Sequence, residues 1–311
     1  MATEQNTSDR YDVVIIGAGP AGLTAGMYTS RQGLKTAIVG GEVGGQTLWA
    51  GEIENYPGWR LVTGKELVAS FREHVSQFSV ECMEGQLVNA IVPAEDGYEV
   101  YTREGSTLTT RAIIIATGKA PNRLAVPGEQ EFTGRGVSYC ATCDAAFFKN
   151  ADVAVVGPGE SAADAALELA AIGAHVTLVT LLPLKVPEAM LEHVEENPDI
   201  MLKTGFKVTE IVGDTRVTGV KLKNPKEGIE EELAVSGVFI ESGSIAVSEY
   251  TAGLVEMNAK GEIVIDNRGA TSAPGIYAAG DVTDTPGKQI IIAAGEGARA
   301  AMAVSRDLKR R

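Results

Sequence analysis

The sequence predicts an α/β chain of two Rossmann-like three-layer domains, one inserted in the other. Three observations predict it. A β-branched run, Tyr11–Ile16, enters the glycine turn Gly17-Ala18-Gly19-Pro20-Ala21-Gly22, which opens a helical stretch. The pattern returns where Asp152–Val156 leads into Gly157-Pro158-Gly159-Glu160-Ser161-Ala162 and an alanine-rich helix up to Gly173. A third landmark, Gly275–Asp281, reads as a strand ending in Gly-Asp.

In the first unit the spacing is G-x-G-x-x-G. The first glycine permits a tight turn, the second lets backbone approach a pyrophosphate, and the third lets helix pack on strand. The next strand, Thr36–Val39, is followed by Glu42, at about the distance expected of a ribose-binding acid. Ala112–Gly118 reads as a strand leading to a linker before Pro121, and His175–Val179 completes the second unit. A helix after Lys288-Gln289-Ile290 closes the chain. The expected domains are 1–118 with 244–311, holding 119–243 as the insertion. Two such folds in one chain make a flavin-plus-pyridine-nucleotide architecture.

Just before the second unit stands Cys140-Ala141-Thr142-Cys143-Asp144, which uses two of only three cysteines. Two thiols at this spacing can close and reopen a short disulfide, and an acid directly behind them can move the proton that thiol exchange needs. The alternatives are half of a four-cysteine zinc site or two core thiols. Zinc needs partners, and no second C-x-x-C or H-x-x-x-H pair exists, so no metal site is expected. His74, His175 and His193 lack metal-ligand spacing, and Cys82, in the alternating stretch Val80–Met83, reads as structural.

Bulk properties narrow the field. A net charge of −14 argues against nucleic acid, and no apolar run reaches the roughly 18 residues of a membrane span. Met1–Arg10 is polar without an apolar core, so it reads as a disordered tail rather than a signal peptide. Few thiols and no export signal point to a reducing cytoplasm.

With these motifs in hand, the chain resembles the low-molecular-weight thioredoxin reductases, a branch of the FAD disulfide oxidoreductases. The resemblance rests on G-A-G-P-A-G at Gly17–Gly22, G-G-Q at Gly44–Gln46 and E-N-Y-P-G at Glu54–Gly58. A-T-G at Ala116–Gly118, C-A-T-C-D at Cys140–Asp144 and A-A-G-D-V at Ala278–Val282 continue it. It implies FAD bound at Gly17, Gly19, Ala21, Gly22, Glu42, Gly45, Gln46, Asn55, Thr117, Gly118, Gly280 and Asp281. Lys288, Gln289 and Ile290 would sit near the flavin ring. By the same pattern Cys143 faces the flavin, Cys140 attacks the partner's disulfide, and Asp144 is the acid–base. The resemblance further implies thioredoxin or a similar small disulfide as substrate, and a homodimer.

One stretch departs from the family. NADPH-dependent members follow the second unit's last strand with an arginine-rich H-R-R-x-x-x-R, whose forked donors grip a 2′-phosphate. Here the run is Thr180-Leu181-Leu182-Pro183-Leu184-Lys185-Val186, and Pro158 removes an N–H from the second glycine turn. The family's G-x-x-P-N-T is replaced by Gly243–Ser248. The expectation is therefore a thioredoxin-reductase-like enzyme whose donor is not NADPH but ferredoxin or another carrier. The second nucleotide site could hold a second flavin or another nucleotide. The alternatives are a conventional NADPH-thioredoxin reductase, a dithiol oxidase of the same fold, and a flavin-binding sensor without turnover. The peroxide-reductase partner flavoprotein is also similar, with an extra N-terminal module.

Overall fold

The computed structural model describes residues 10–310. The expected N-terminal tail, apart from Arg10, and the final Arg311 lie outside them. The chain divides into two units. The first runs to Leu48 and takes in Gly64–Ala120 and the chain from Ile245; the second comprises Trp49–Thr63 and Pro121–Ser244.

In the first unit β1 (Arg10–Ile16) turns into α1 (Pro20–Arg31), and β2 (Thr36–Gly40) follows. Then come α2 (Gly64–Ser76), β3 (Val80–Glu84), β4 (Val88–Ala94), β5 (Gly97–Thr102) and β6 (Thr107–Ile115). The expected strand over Ala112–Gly118 thus starts earlier and stops at Ile115, short of Gly118, which takes φ +68°. β7 (Lys119–Pro121) leads into the second unit.

There β8 (Val137–Ser138), the short α3 (Ala141–Asp144), β9 (Asp152–Val156), α4 (Glu160–Ala171) and β10 (His175–Thr180) come in turn. α5 (Glu188–Glu195), β11 (Ile200–Thr204), β12 (Lys207–Gly213), β13 (Val217–Lys223), β14 (Glu230–Ala234) and β15 (Gly237–Ile240) complete it. β16 (Ser244–Ala246), which pairs with β7, leads back to β17 (Ile276–Ala278) and α6 (Ile290–Arg310).

Both principal sheets are wound alike. The first has the order β3-β2-β1-β6-β5-β4, with β17 also on β6; β1, β2, β3, β6 and β17 are parallel. The second is the parallel β11-β10-β9-β15-β8, and β12–β14 form a separate antiparallel sheet. Val13, Ile15 and Ile114 on one face of the first sheet, and Val14, Ile16 and Ile113 on the other, are fully or almost fully buried. Burial on both faces is what a parallel sheet covered on both sides demands. This is the expected α/β architecture of two nucleotide-type units, the second inserted in the first.

The segment Trp49–Thr63, which the sequence placed with the first domain, groups with the second unit. Its backbone runs so close to Gly134 that a Cβ on Gly51 would lie 2.4 Å from the Gly134 carbonyl oxygen. Arg123 stacks 5.4 Å from the Trp49 ring centre. Contacts this distant in sequence leave no local signal.

Candidate active site

In the first unit the glycine turn between β1 and α1 has three distinct roles. A Cβ on Gly17, at φ +111°, would lie 2.2 Å from the Ala116 carbonyl oxygen. One on Gly22 would lie 1.8 Å from the Gly17 carbonyl oxygen. Gly19 has no atom within 4 Å of that position, so its backbone face is open. α1 starts with Pro20, has no acid in its first turn and no side-chain cap, which leaves its first N–H groups available to an anion. An open second glycine between two closed ones, at the start of a twelve-residue helix, fits a dinucleotide pyrophosphate.

Three further motifs, G-G-Q, A-T-G and A-A-G-D-V, pack near this turn. Gly44 donates its N–H to the Ala18 carbonyl at 2.8 Å, and a Cβ on Gly45 would lie 3.7 Å from Gly19 Cα. The Gln46 amide donates to the Lys119 carbonyl, and the Thr117 hydroxyl to the Val247 carbonyl at 2.6 Å. Gly280, at φ +78°, packs on Ala21, and its N–H donates at 2.7 Å to the buried Glu296 carboxylate. Asp281 follows, its carboxyl pushed up by burial against the pull of Lys288 and Lys119. Glu42 is exposed just beyond β2, and Gln289 precedes Ile290 at the start of α6. The structure brings together Gly17, Gly19, Ala21, Gly22, Gly45, Gln46, Thr117, Gly118, Gly280 and Asp281 in this unit. Asn55 lies in the segment that groups with the second unit.

Sequence reasoning missed a charged cluster here. Lys119 Nζ lies 2.6 Å from Glu262 Oε1, and Lys288 Nζ lies 3.9 Å from the same oxygen. Lys288 also donates to the Thr283 carbonyl at 2.6 Å, and burial holds its ammonium below the ordinary lysine range. Glu262 stands far from both lysines in sequence, so no spacing marks it.

In the second unit Cys140 and Cys143 are joined as a disulfide, with Cα atoms 5.3 Å apart. Cys140 is the N-cap of α3, and the N–H groups of Cys143 and Asp144 both donate to its carbonyl at 3.2 Å. The Ser138 hydroxyl accepts the Cys140 N–H at 3.1 Å. Tyr139 donates at 2.8 Å to the buried Glu129 carboxylate, which also accepts the Leu124 and Ala125 N–H groups. That clamp fixes the approach to the disulfide and pushes the Tyr139 phenol up to about 12, chiefly through burial. The Asp144 carboxyl is raised by burial, opposed by a hydrogen bond from Ser138. A raised carboxyl holds its proton nearer neutrality, as an acid–base group requires. Cys82, read from the sequence as structural, lies exposed on β3.

The second glycine turn is built like the first but closed differently. A Cβ on Gly157 would lie 2.2 Å from the Glu241 carbonyl oxygen, and Gly159 is open. Yet α4 carries Glu160 in its first turn, where a phosphate would meet a like charge. The segment after β10 also folds back, so that Lys185 donates its N–H to the Pro158 carbonyl at 2.8 Å. Leu181 and Leu182 are exposed beside it. Among the described residues no group of three or more His, Cys, Asp or Glu is placed to hold a metal, and no helix is long and apolar enough to cross a membrane.

Two doubly wound nucleotide-type units, one of them carrying a C-x-x-C disulfide, define the flavin-linked disulfide oxidoreductase class. The model of the pyridine nucleotide-disulphide oxidoreductase family matches residues 11–298. The thioredoxin reductase from Streptococcus pyogenes MGAS5005 superposes with a TM-score of 0.93 at 36% identity, over 98% of this chain and 100% of that one. The thioredoxin reductase from Giardia duodenalis gives 0.89 at 31%, over 97% and 100%. The F component of the alkyl hydroperoxide reductase from Pseudomonas putida is 39% identical over 306 residues, 97% of this chain and 59% of that protein. The chain thus spans about three-fifths of the length of such curated relatives. It belongs to the pyridine nucleotide-disulphide oxidoreductase family, among its low-molecular-weight thioredoxin reductases.

Proposed function

We propose that this chain is an FAD-dependent disulfide oxidoreductase that reduces thioredoxin or a similar small disulfide through Cys143 and Cys140. The observation that carries this reading is the Cys140–Cys143 bond at the start of α3, with the half-buried Asp144 one residue behind it. Bound FAD supplies a two-electron carrier. The chain's residues do the rest. Gly19 and the α1 N-terminus would hold the FAD pyrophosphate, Asp281 its ribityl chain, and Lys288–Ile290 its ring. Cys140, once freed as thiolate, attacks the partner's disulfide, and Asp144 holds and returns the proton of that exchange. The enzyme acts in the cytoplasm as a homodimer.

The donor is not NADPH but ferredoxin or another carrier. Glu160 at the head of α4, the Lys185–Pro158 hydrogen bond across the glycine turn and the leucines in place of arginines support this. A 2′-phosphate needs forked cationic donors, and Lys185 spends its backbone on closing the turn.

The test is anaerobic mixing of the yellow holoprotein with NADPH, NADH or photoreduced ferredoxin, following flavin absorbance near ~450 nm. Bleaching by ferredoxin alone is expected. Rapid bleaching by NADPH would restore the conventional thioredoxin reductase. Reduction by a small dithiol with oxygen uptake would make the protein a dithiol oxidase.

A further inference from the structure

Glu241, at the end of β15, is absent from every motif above, yet it lies against the disulfide segment. Its Oε1 accepts the N–H of Ala141, the residue between Cys140 and Thr142, at 3.3 Å. Its backbone is fixed independently. Glu241 N–H donates to the Val156 carbonyl at 2.8 Å, and the Ser161 hydroxyl donates to the Glu241 carbonyl at 3.3 Å. The side chain therefore projects from a rigid strand end toward the turn that carries both cysteines.

The charge that acts on it directly has the same sign. Glu168 of α4 accepts the Thr142 hydroxyl at 3.0 Å and repels Glu241. Of the neighbouring elements, α3 carries Asp144, and α4 also carries Glu160 and Asp164 in its first half. β8 offers the Ser138 hydroxyl, and the glycine turn offers nothing titratable. Arg123, upstream of the disulfide segment, is stacked on Trp49. Burial first, then Glu168, push the Glu241 carboxyl up to about 7 against the Ala141 hydrogen bond. A carboxylate beside the pair opposes formation of a thiolate there.

We infer that Glu241 is a positioning residue that exchanges one proton with the reduced Cys140–Cys143 pair, so that the turn carries a single negative charge either as carboxylate or as thiolate. This rests on the reading that the pair is the working disulfide. A dithiol that opens the bond gives up two electrons and two protons and leaves as its own disulfide. One proton stays on one cysteine sulfur. That proton is the one Asp144 moves to and from the partner; the other is shared between Glu241 and the second sulfur, which is a thiolate when the proton sits on Glu241. Without that uptake, ionised Glu241 and the thiolate would repel each other across one short turn.

The test uses the holoprotein in a Cys82→Ser background, reduced by dithiothreitol and trapped with iodoacetamide across pH 5 to 9.5, with mass spectrometry to count alkyl groups. With Glu241 present, the alkylation rate should show an inflection near 7 besides that of the thiol itself. Glu241→Gln should lose that inflection and lower the remaining thiol pKa by about one unit. Glu241→Ala should behave like Glu241→Gln. Gln keeps an oxygen for the Ala141 N–H, so a capping role alone would make Gln match the parent and leave only Ala altered; that result overturns the inference. An inflection that survives in Glu241→Gln, with two alkyl groups still gained, also overturns it while leaving the disulfide reading intact. Failure of the parent to gain two alkyl groups at Cys140 and Cys143 would overturn both.

Discussion

Two carboxyls beside the disulfide are held protonated further up the pH scale than an open acid would be, and both have measurable consequences. The sign for Glu241 is set by its raised value. At low pH folded and unfolded chains both hold the proton. Between about 4.5 and 7 the unfolded chain releases it first, so stability falls as pH rises through that window and levels off above it. Glu241→Gln removes this loss. Denaturant melts should show the variant gaining about 2–3 kcal/mol relative to the parent between pH 4 and pH 8; a constant offset would show that the carboxyl is not perturbed. Asp144 is raised in the same direction, by burial. Asp144→Asn keeps the size but not the proton, and should slow disulfide exchange by about 10²-fold with flavin content unchanged. Cys143→Ser should still bind FAD and lose thiol turnover; unchanged turnover would remove Cys143 from the reaction. Cys140, Cys143 and Asp144 were legible because their chemistry lies in a five-residue word. Glu241 was not, because the parallel pairing of β15 with β9, which brings it there, is a tertiary event.

At the scale of elements, the strand–glycine–helix units were the most legible part of the chain. The reason is steric and local: only glycine tolerates a carbonyl oxygen about 2 Å from where its Cβ would lie, as at Gly17, Gly22 and Gly157. The β4–β5 hairpin and the antiparallel β12–β14 sheet carried no comparable word and were not foreseen. The second glycine turn shows the limit of a motif. Its G-x-G-x-x-A spacing is right, while the loop after β10 hydrogen-bonds across it and Glu160 places a carboxylate in the first turn of α4. On the proposed reading, arginines at positions 181 and 182 alone should not confer NADPH binding. Titration calorimetry on the double variant is expected to show no heat of binding below about 1 mM, and a clear isotherm would mean that the loop is not the obstacle. Gly297 of α6 sets a second element-scale constraint, since a Cβ there would lie 2.1 Å from the Ala21 carbonyl oxygen. Gly297→Ala should cost about 1–3 kcal/mol, read as a fall in Tm of several degrees.

At the scale of the whole molecule, each unit keeps its own pair of apolar clusters: Val13 through Leu308 and Tyr11 through Val282 in the first, Ala141 through Phe239 and Phe132 through Ile240 in the second. A cofactor held by the first unit stabilises that unit by mass action, about 2.7 kcal/mol at a hundredfold excess over Kd. Stripping FAD should then lower one calorimetric transition and leave the other in place; equal shifts of a single transition would show that the units melt together. The insertion was legible from the order of motifs along the chain, whereas the affiliation of Trp49–Thr63 was not, since it depends on Gly51 meeting Gly134.

The packing of α6 on α1 also orders the protein's birth on the ribosome. The second unit contains nearly all its partners within one continuous stretch and can close as soon as that stretch has emerged. The first cannot: Ala21 waits for Gly297, and Gly280 for Glu296. The nascent chain therefore carries an open, apolar first half through the synthesis of the insertion. A chaperone that recognises exposed aliphatic strands would meet β1, β2 and β6 during that interval.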